Sequence, residues 1–189
     1  MILLILLVSL SLAQAQFKAG SGLLIFNVGW TMASPEGIEA DLNGNTFSLS
    51  YEKADLFTAF SGGFVIAYSN TSADSLNAGG EKQDRLNKVG YEVIPVSFFG
   101  KVNFGSETFR GYAGAGFGIQ FSNINYFTEK GQVTAWESGL LISGMAGANF
   151  YLSEDILLNA NYTISYLGNS YYQNSLAQNI NLGIGFQLD

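Results

Sequence analysis

Residues 179–188 read Asn-Ile-Asn-Leu-Gly-Ile-Gly-Phe-Gln-Leu, so that every second residue is apolar. In a β-strand, successive side chains point to opposite sides, which puts all the apolar residues on one face. The other face carries only asparagine, glycine and glutamine, without the charged residues that solvent-facing strands normally have. A small, uncharged polar face suits the interior of a narrow barrel. The stretch therefore predicts a strand whose apolar face points outward, toward lipid.

The same alternation recurs along most of the chain. The other alternating segments lie at 26–30, 46–51, 64–69, 91–104, 110–122, 140–150 and 156–166. Together with the last segment they predict eight strands. Pro95 cannot donate to a ladder of backbone hydrogen bonds, and it predicts a bulge in the fourth strand.

The connections between these segments differ in length. Long connections are predicted at 31–43, 71–87, 123–136 and 168–178, and short turns at 52–55, 105–108 and 153–155. This order of long and short is typical of outer-membrane barrels, which have short periplasmic turns and long external loops. The sequence thus predicts an all-β, eight-stranded antiparallel up-and-down transmembrane β-barrel with both termini in the periplasm.

Composition limits the functions that this barrel can have. The 189 residues suit one domain, and only 12% of them are charged, about half the usual share. With eight basic residues and a net charge of −7, the chain is a poor partner for nucleic acid. It contains no Cys and no His, which removes the usual thiol, catalytic base and transition-metal ligand. We therefore predict no enzyme activity, no cofactor and no metal.

The amino terminus has the pattern of an export signal. Residues 2–12 are almost entirely apolar, and Ala13-Gln14-Ala15 follows as a small-residue cleavage site. The run is too short for a transmembrane helix, which needs about 18 apolar residues or more. The predicted division is a signal peptide at 1–15 and a barrel domain at 16–189.

Several motifs resemble a known family, the small outer-membrane β-barrel proteins common in Bacteroidetes-type bacteria, which are distantly similar to the OmpA/OmpX-type barrels. The motifs are YEKADLFTAFSGGFVIAY (51–68), VIPV (93–96), GYAGAGFG (111–118) and GIGFQL (183–188). The resemblance implies outer-membrane lipid and the barrel-assembly machinery as partners. It also implies a chain end recognised during assembly, although this chain ends in Leu188-Asp189 where many such barrels end on an aromatic residue.

Aromatic residues predict the two boundaries of the membrane. Amphipathic rings collect at the interfaces of a bilayer and form girdles around outer-membrane barrels. The predicted girdle consists of Trp30, Tyr51, Tyr68, Tyr91, Trp136, Tyr151 and Tyr166. Tyr51 and Tyr151 are assigned to the periplasmic side, because each stands at the predicted exit of a strand and is followed four residues later by an acidic turn residue, Asp55 or Asp155.

Charged residues are expected at two places. By strand parity, Glu52, Lys101 and Arg110 point into the lumen near the periplasmic end, where charges need partners. We predict that they form an internal ion network that plugs the barrel; side chains that reach out to the periplasm are the alternative. Glu36, Glu39 and Asp41 in the first loop are expected to be solvated, with weak Ca²⁺ binding or carboxylate chemistry as minor alternatives.

The predicted function is that of a structural or surface-interaction barrel of the outer membrane, whose four external loops contact surfaces or glycans. An eight-stranded barrel is just wide enough to be filled by side chains, so an open pore is not expected. A small channel for apolar molecules, lined by Leu23, Ile25, Leu141 and Met145 near one end, is the second hypothesis. A secreted soluble barrel that binds a lipophile is the third.

Overall fold

The computed structural model describes residues 20–35, 41–57, 59–76, 86–106, 108–128, 131–168 and 175–188. Within these ranges the chain forms eight β-strands, and no helix there is long and apolar enough to cross a membrane. The strands are β1 (Gly22–Pro35), β2 (Leu42–Phe57), β3 (Phe60–Leu76), β4 (Leu86–Gly105), β5 (Phe109–Thr128), β6 (Gly131–Tyr151), β7 (Ile156–Leu167) and β8 (Ser175–Leu188).

Each strand pairs antiparallel with the next, and β8 pairs with β1 to close the barrel. The predicted fold class is therefore confirmed. Because the number of strands is even, the start of β1 and the end of β8 lie at the same end. We call this the turn end, since the connections 58–59, 106–108 and 152–155 lie there; the opposite end is the loop end.

The register fixes the tilt of the strands. Ile25 on β1 pairs directly with Gly185 on β8. The path of paired residues the other way around passes through Ser50, Val65, Ser97, Gly118, Leu141 and Leu167 and reaches Ser175. The stagger of ten residues between Ser175 and Gly185 tilts eight strands by about 40°. Each residue then rises about 2.5 Å along the barrel axis, so about ten residues cross the apolar band of a bilayer.

The strands are longer than predicted, most of all at the loop end. The predicted loop at 123–136 is wrong, because β5 runs to Thr128 and β6 begins at Gly131. The predicted loops at 31–43, 71–87 and 168–178 are likewise shortened, to 36–41, 77–85 and 168–174. Polar residues such as Asn123 and Asn125 interrupt the apolar alternation although the backbone continues as a strand. Strands β3 to β6 therefore rise beyond their neighbours as a projecting sheet.

Two local predictions at the other positions are corrected. The turn predicted at 52–55 is wrong: β2 continues to Phe57, with an irregular register after Lys53, and the connection lies at 58–59. Pro95 does not introduce a bulge, since β3 and β4 keep one register from Ile66↔Val96 to Ser69↔Val93. The missing N–H of Pro95 interrupts the ladder there without the insertion of a residue.

The two faces of the strands have opposite character. Outward side chains are large, apolar and exposed, as at Leu140 (71%), Phe117 (69%) and Leu182 (65%). Inward side chains between the ends of the barrel are mainly Ser, Thr and Asn, and most of these are buried. The apolar surface on the outside forms a belt around the barrel, which is the reverse of a soluble sheet packed on an apolar core.

Candidate functional site: the barrel lumen

An ion pair lies in the turn-end half of the lumen. Lys101 Nζ on β4 is 2.5 Å from Glu52 Oε2 on β2, and both residues are at most 4% exposed. Ser61 Oγ donates to Glu52 Oε1 at 2.5 Å, and Asn103 Nδ2 donates to Ser61 Oγ at 2.9 Å. The carboxylate thus has a cation and a hydroxyl as partners, as a buried charge requires.

The ammonium group of Lys101 also contacts aromatic rings. Its Nζ lies 4.0 Å from the centre of the Tyr112 ring and 5.1 Å from that of Phe99. A cation over an aromatic face is attracted by the ring quadrupole, more strongly when water is excluded. Arg110, the third predicted charge, is half-buried at the start of β5 and pairs with the buried Asn149. It shares the inward parity of Tyr112.

A chain of asparagine side chains continues from Tyr112 across β6, β7 and β8. Asn159 Nδ2 contacts both Tyr112 Oη (3.0 Å) and Asn149 Oδ1 (2.7 Å) as donor. Asn161 Nδ2 donates to Asn159 Oδ1 at 2.7 Å, and Asn181 Nδ2 donates to Asn161 Oδ1 at 2.9 Å. Together with the ion pair, this chain links polar side chains from seven of the eight strands. The sequence predicts the inward parity of these asparagines but not their bonds, which depend on the register.

A cavity of about 110 Å³ lies in the middle of the lumen. Its walls combine hydroxyl and amide side chains with apolar ones such as Ile25 and Met145; Lys101 and Tyr112 lie toward the turn end and Leu141 toward the loop end. Glycines on the seam between β1 and β8 make room for the amides: a Cβ atom at Gly183 would collide with Asn27 Oδ1, and one at Gly29 with Asn181 Oδ1. The space suits several water molecules or one small polar molecule.

Two apolar clusters flank this polar middle. At the turn end Leu23, Ile25, Tyr151 and Leu157 pack together. At the loop end the cluster consists of Ala33, Leu42, Val89, Tyr91, Val93, Ile124, Leu141, Leu167 and Ala177. The prediction that Leu23, Ile25, Leu141 and Met145 lie near one end is wrong, because Leu23 and Ile25 belong to the turn-end cluster and Leu141 to the loop-end cluster. Ile25, Leu141 and Met145 do line the central cavity together.

Two residues of the predicted aromatic girdle point inward. Tyr91 and Tyr151 are each 1% exposed and belong to the loop-end and turn-end clusters. Both residues have odd numbers on strands whose even positions face outward, so strand parity predicts correctly that their side chains point inward. The preference of aromatic rings for membrane interfaces predicts the opposite direction, which is wrong here. Their assignment to the girdle is corrected.

The other five aromatic residues lie on the outer face. Trp30, Tyr68, Trp136 and Tyr166 are exposed on the loop-end side of the belt. The ring of Tyr51 packs beside that of Phe64, with their centres 5.9 Å apart. Their place at a lipid boundary stays a prediction.

The remaining expectations fall partly outside the described residues. Glu36, Glu39 and the predicted signal peptide at 1–15 lie there. Asp41 is exposed, and its Oδ1 accepts a 2.6 Å hydrogen bond from Ser34 Oγ. In the described part of the chain, no group of three or more acidic, Cys or His residues is placed to hold a metal ion.

The closed barrel with an apolar exterior and a polar lumen has the fold of small outer-membrane β-barrel proteins. Neisserial surface protein A shares it with a TM-score of 0.62, at 11% identity over 87% of this chain and 96% of that chain. Ail, the attachment invasion locus protein of Yersinia pestis, shares the fold with a TM-score of 0.60, at 15% identity over 90% of this chain and 100% of that chain. The outer membrane protein OprG of Pseudomonas aeruginosa has a TM-score of 0.53, at 12% identity over 93% of this chain and 99% of that chain.

No protein-family model matches the sequence, and no curated protein matches it. The structural likeness at these low identities concerns the fold alone. The predicted relation to Bacteroidetes-type barrels stays a prediction.

Proposed function

We propose that this protein is a surface-interaction barrel of the outer membrane, with a lumen closed by its own side chains. The observation that carries the proposal is the inversion of its two faces. About thirty large apolar side chains are exposed on the strands, while asparagines, serines and an ion pair are buried inside. Exposure of this apolar surface to water costs about 25 cal/mol per Å², whereas exposure to hydrocarbon carries no such cost.

The filled lumen supports contact with partners over conduction. An ion or solute would have to pass two apolar clusters and the Lys101–Glu52 pair, which lies beside the turn-end cluster because Glu52 pairs with Leu23. Removal of one partner from such a buried pair is strongly unfavourable, so the pair acts as a stable plug. This leaves the loop end and the projecting sheet of β3 to β6 as the parts of the barrel that can meet a partner.

The two alternatives have less support. A channel for apolar molecules would need a continuous apolar lining, but hydroxyl, amide and ammonium groups interrupt the apolar lining in the middle of the lumen. A soluble lipophile-binding barrel would carry its apolar residues inside and its polar residues outside, which is the opposite arrangement. Single-channel recordings in planar bilayers test the first alternative: discrete openings would favour the channel.

Partners are proposed by chemistry. Ail has been crystallised in complex with the heparin analogue sucrose octasulfate, a polyanion. A net charge of −7 makes this chain a poor match for such ligands. We propose instead uncharged glycans or protein surfaces as external partners, with export through residues 1–15 and insertion by the barrel-assembly machinery.

Membrane fractionation combined with gel mobility tests the proposal. Cells that express the full chain are separated into soluble, inner-membrane and outer-membrane fractions. We expect the protein in the outer-membrane fraction, shortened by the signal peptide, and migrating faster in SDS gels before boiling than after. Release into the aqueous fraction without detergent would overturn the proposal in favour of the soluble barrel.

A further inference from the structure

The outer face of the barrel changes character where β3 to β6 rise beyond the apolar belt. On β5 the outward residues are Phe117, Ile119 and Phe121, and then Asn123 and Asn125. The neighbouring strands change in the same way. These polar side chains point sideways, to the surroundings of the barrel, and away from its axis.

The first part of this surface is built around a carboxylate. Glu92 Oε1 accepts a hydrogen bond from Tyr68 Oη, and Glu92 Oε2 accepts one from Asn123 Nδ2, both at 3.1 Å. Both oxygens of Glu92 are thereby fixed in position. Asn123 is 6% exposed, and its Oδ1 is buried without a hydrogen-bond partner in the described structure.

The second part is an amide and hydroxyl cluster on β5 and β6. Thr134 Oγ1 donates to Asn125 Oδ1 at 2.7 Å, and Gln132 Nε2 donates to the same oxygen at 3.0 Å. The bonds within this cluster do not use Asn125 Nδ2 or Gln132 Oε1. Trp136 lies beside both parts, since it pairs with Asn123, and the residue is 64% exposed.

We propose that these seven residues, the outer polar patch, bind the uncharged sugar head group of a glycolipid in the surrounding leaflet. A sugar ring offers hydroxyl groups to fixed amide and carboxylate groups, and its C–H face packs on an exposed indole. The patch is continuous with the apolar belt at Phe121 and Leu140, against which acyl chains would lie. The inference rests on the proposed place of the barrel in the outer membrane.

Charge indicates why the head group is uncharged. The outer polar patch contains one carboxylate and no Lys or Arg, whereas phosphate recognition relies on basic side chains. Glu92 would repel a phosphate next to it. The patch therefore favours a glycosyl lipid over a phosphorylated lipid with the same acyl chains.

The test uses the full barrel in lipid nanodiscs. Discs contain a neutral phospholipid and, at equal mole fraction, either a glycosyl diacylglycerol or phosphatidic acid, and the lipids that stay bound are counted by native mass spectrometry. We expect preferential retention of the glycosyl lipid. The chain has two tryptophans, so Trp30→Phe leaves Trp136 as the sole reporter, and we expect the glycosyl lipid to protect it from acrylamide quenching.

Variants locate the effect. The double variant Asn125→Leu/Gln132→Leu should lower retention of the glycosyl lipid about tenfold, since two hydrogen-bonding groups are lost. Gln178→Leu is the matched control, because this outward residue lies on β8 at the same end, bonded to Tyr162. Glu92→Gln should raise retention of phosphatidic acid. Unboiled gel mobility confirms that each variant is folded.

Three outcomes would overturn the inference. They are equal retention of the two lipids, equal losses in the double variant and the control, or a dimer that covers Trp136 in both lipids. A chain that does not enter membranes at all would instead overturn the proposed function. A barrel that inserts but shows no preference between head groups overturns only the glycolipid site.

Discussion

On strand β8, Leu182 and Asn181 are neighbours in sequence, yet the first is 65% exposed and the second 7%. The same contrast holds around the barrel. On the outer surface one apolar residue can replace another, whereas on the inner surface polar side chains contact specific partners. Outside, any side chain that lipid tolerates will serve. Inside, the Lys101–Glu52 pair and the linked asparagines have specific partners, so single changes there should have larger and more local effects.

The largest expected effect comes from the ion pair. Lys101→Met leaves Glu52 buried without its cation, which should lower the free energy of unfolding by about 3–5 kcal/mol. Addition of Glu52→Gln to this variant should recover most of the loss. Lys53→Met is the matched control, because Lys53 is the next residue along β2 but is exposed on the outer face. Urea unfolding in lipid vesicles measures these values; unchanged or higher stability of Lys101→Met would show that the pair does not stabilise the barrel.

A charge placed in the belt should have a smaller but general effect. Leu182→Arg puts a cation on the outer face, where lipid makes it unfavourable by about 2–4 kcal/mol. Asn45→Arg, exposed on the outer face of β2 nearer the loop end, should cost about 0–1 kcal/mol. Folding yield into vesicles and urea unfolding report the difference. Equal tolerance of both substitutions would argue that water, and not lipid, surrounds the belt.

The asparagine chain should respond to a single deletion. Asn159→Leu removes the donor to Tyr112 and Asn149 and the acceptor from Asn161, so buried polar groups lose partners at a cost of about 1–3 kcal/mol. Amide exchange should rise on β6, β7 and β8 and stay unchanged on β2 and β3. If the rise is uniform over the barrel, the chain is not a local unit.

The smallest expected effect is an increase in the free energy of unfolding. Pro95→Val supplies the N–H that is missing between β3 and β4, in a register that is already continuous. We expect stability to rise by about 0.5–1.5 kcal/mol, the net value of one hydrogen bond. Urea unfolding against the parent chain measures it, and a loss of stability would mean that the cavity lining at this position needs the proline ring.

The number of strands, their order and the direction of their side chains can be predicted from the sequence, because the alternation shows which side of each strand meets lipid. Strand length does not follow from it. Asn123, Asn125, Gln132 and Thr134 end the apolar alternation on β5 and β6, but their backbone pairing continues for several residues. The hydrophobic pattern thus marks the edge of the apolar belt, and the strands extend further.

The lumen shows the same limit. Parity places Glu52 and Lys101 on the inside, but their contact depends on the register of β2, β3 and β4, which no local pattern contains. Tyr91 and Tyr151 show that strand parity predicts the direction of a side chain better than its residue type does. Glu92 could have been singled out by one signal, a carboxylate at an outward position beside the belt.

Accessibility of single cysteines along β8 tests the central claim most directly. The chain has no Cys, so one can be placed at each position from 180 to 185 and labelled in lipid vesicles. The account predicts alternation: labels at 180, 182 and 184 are quenched by lipids that carry a quencher on their acyl chains, while cysteines at 181, 183 and 185 resist labelling. Quenching without alternation, or labelling of the even positions only by water-soluble reagents, would contradict a barrel whose apolar face meets lipid.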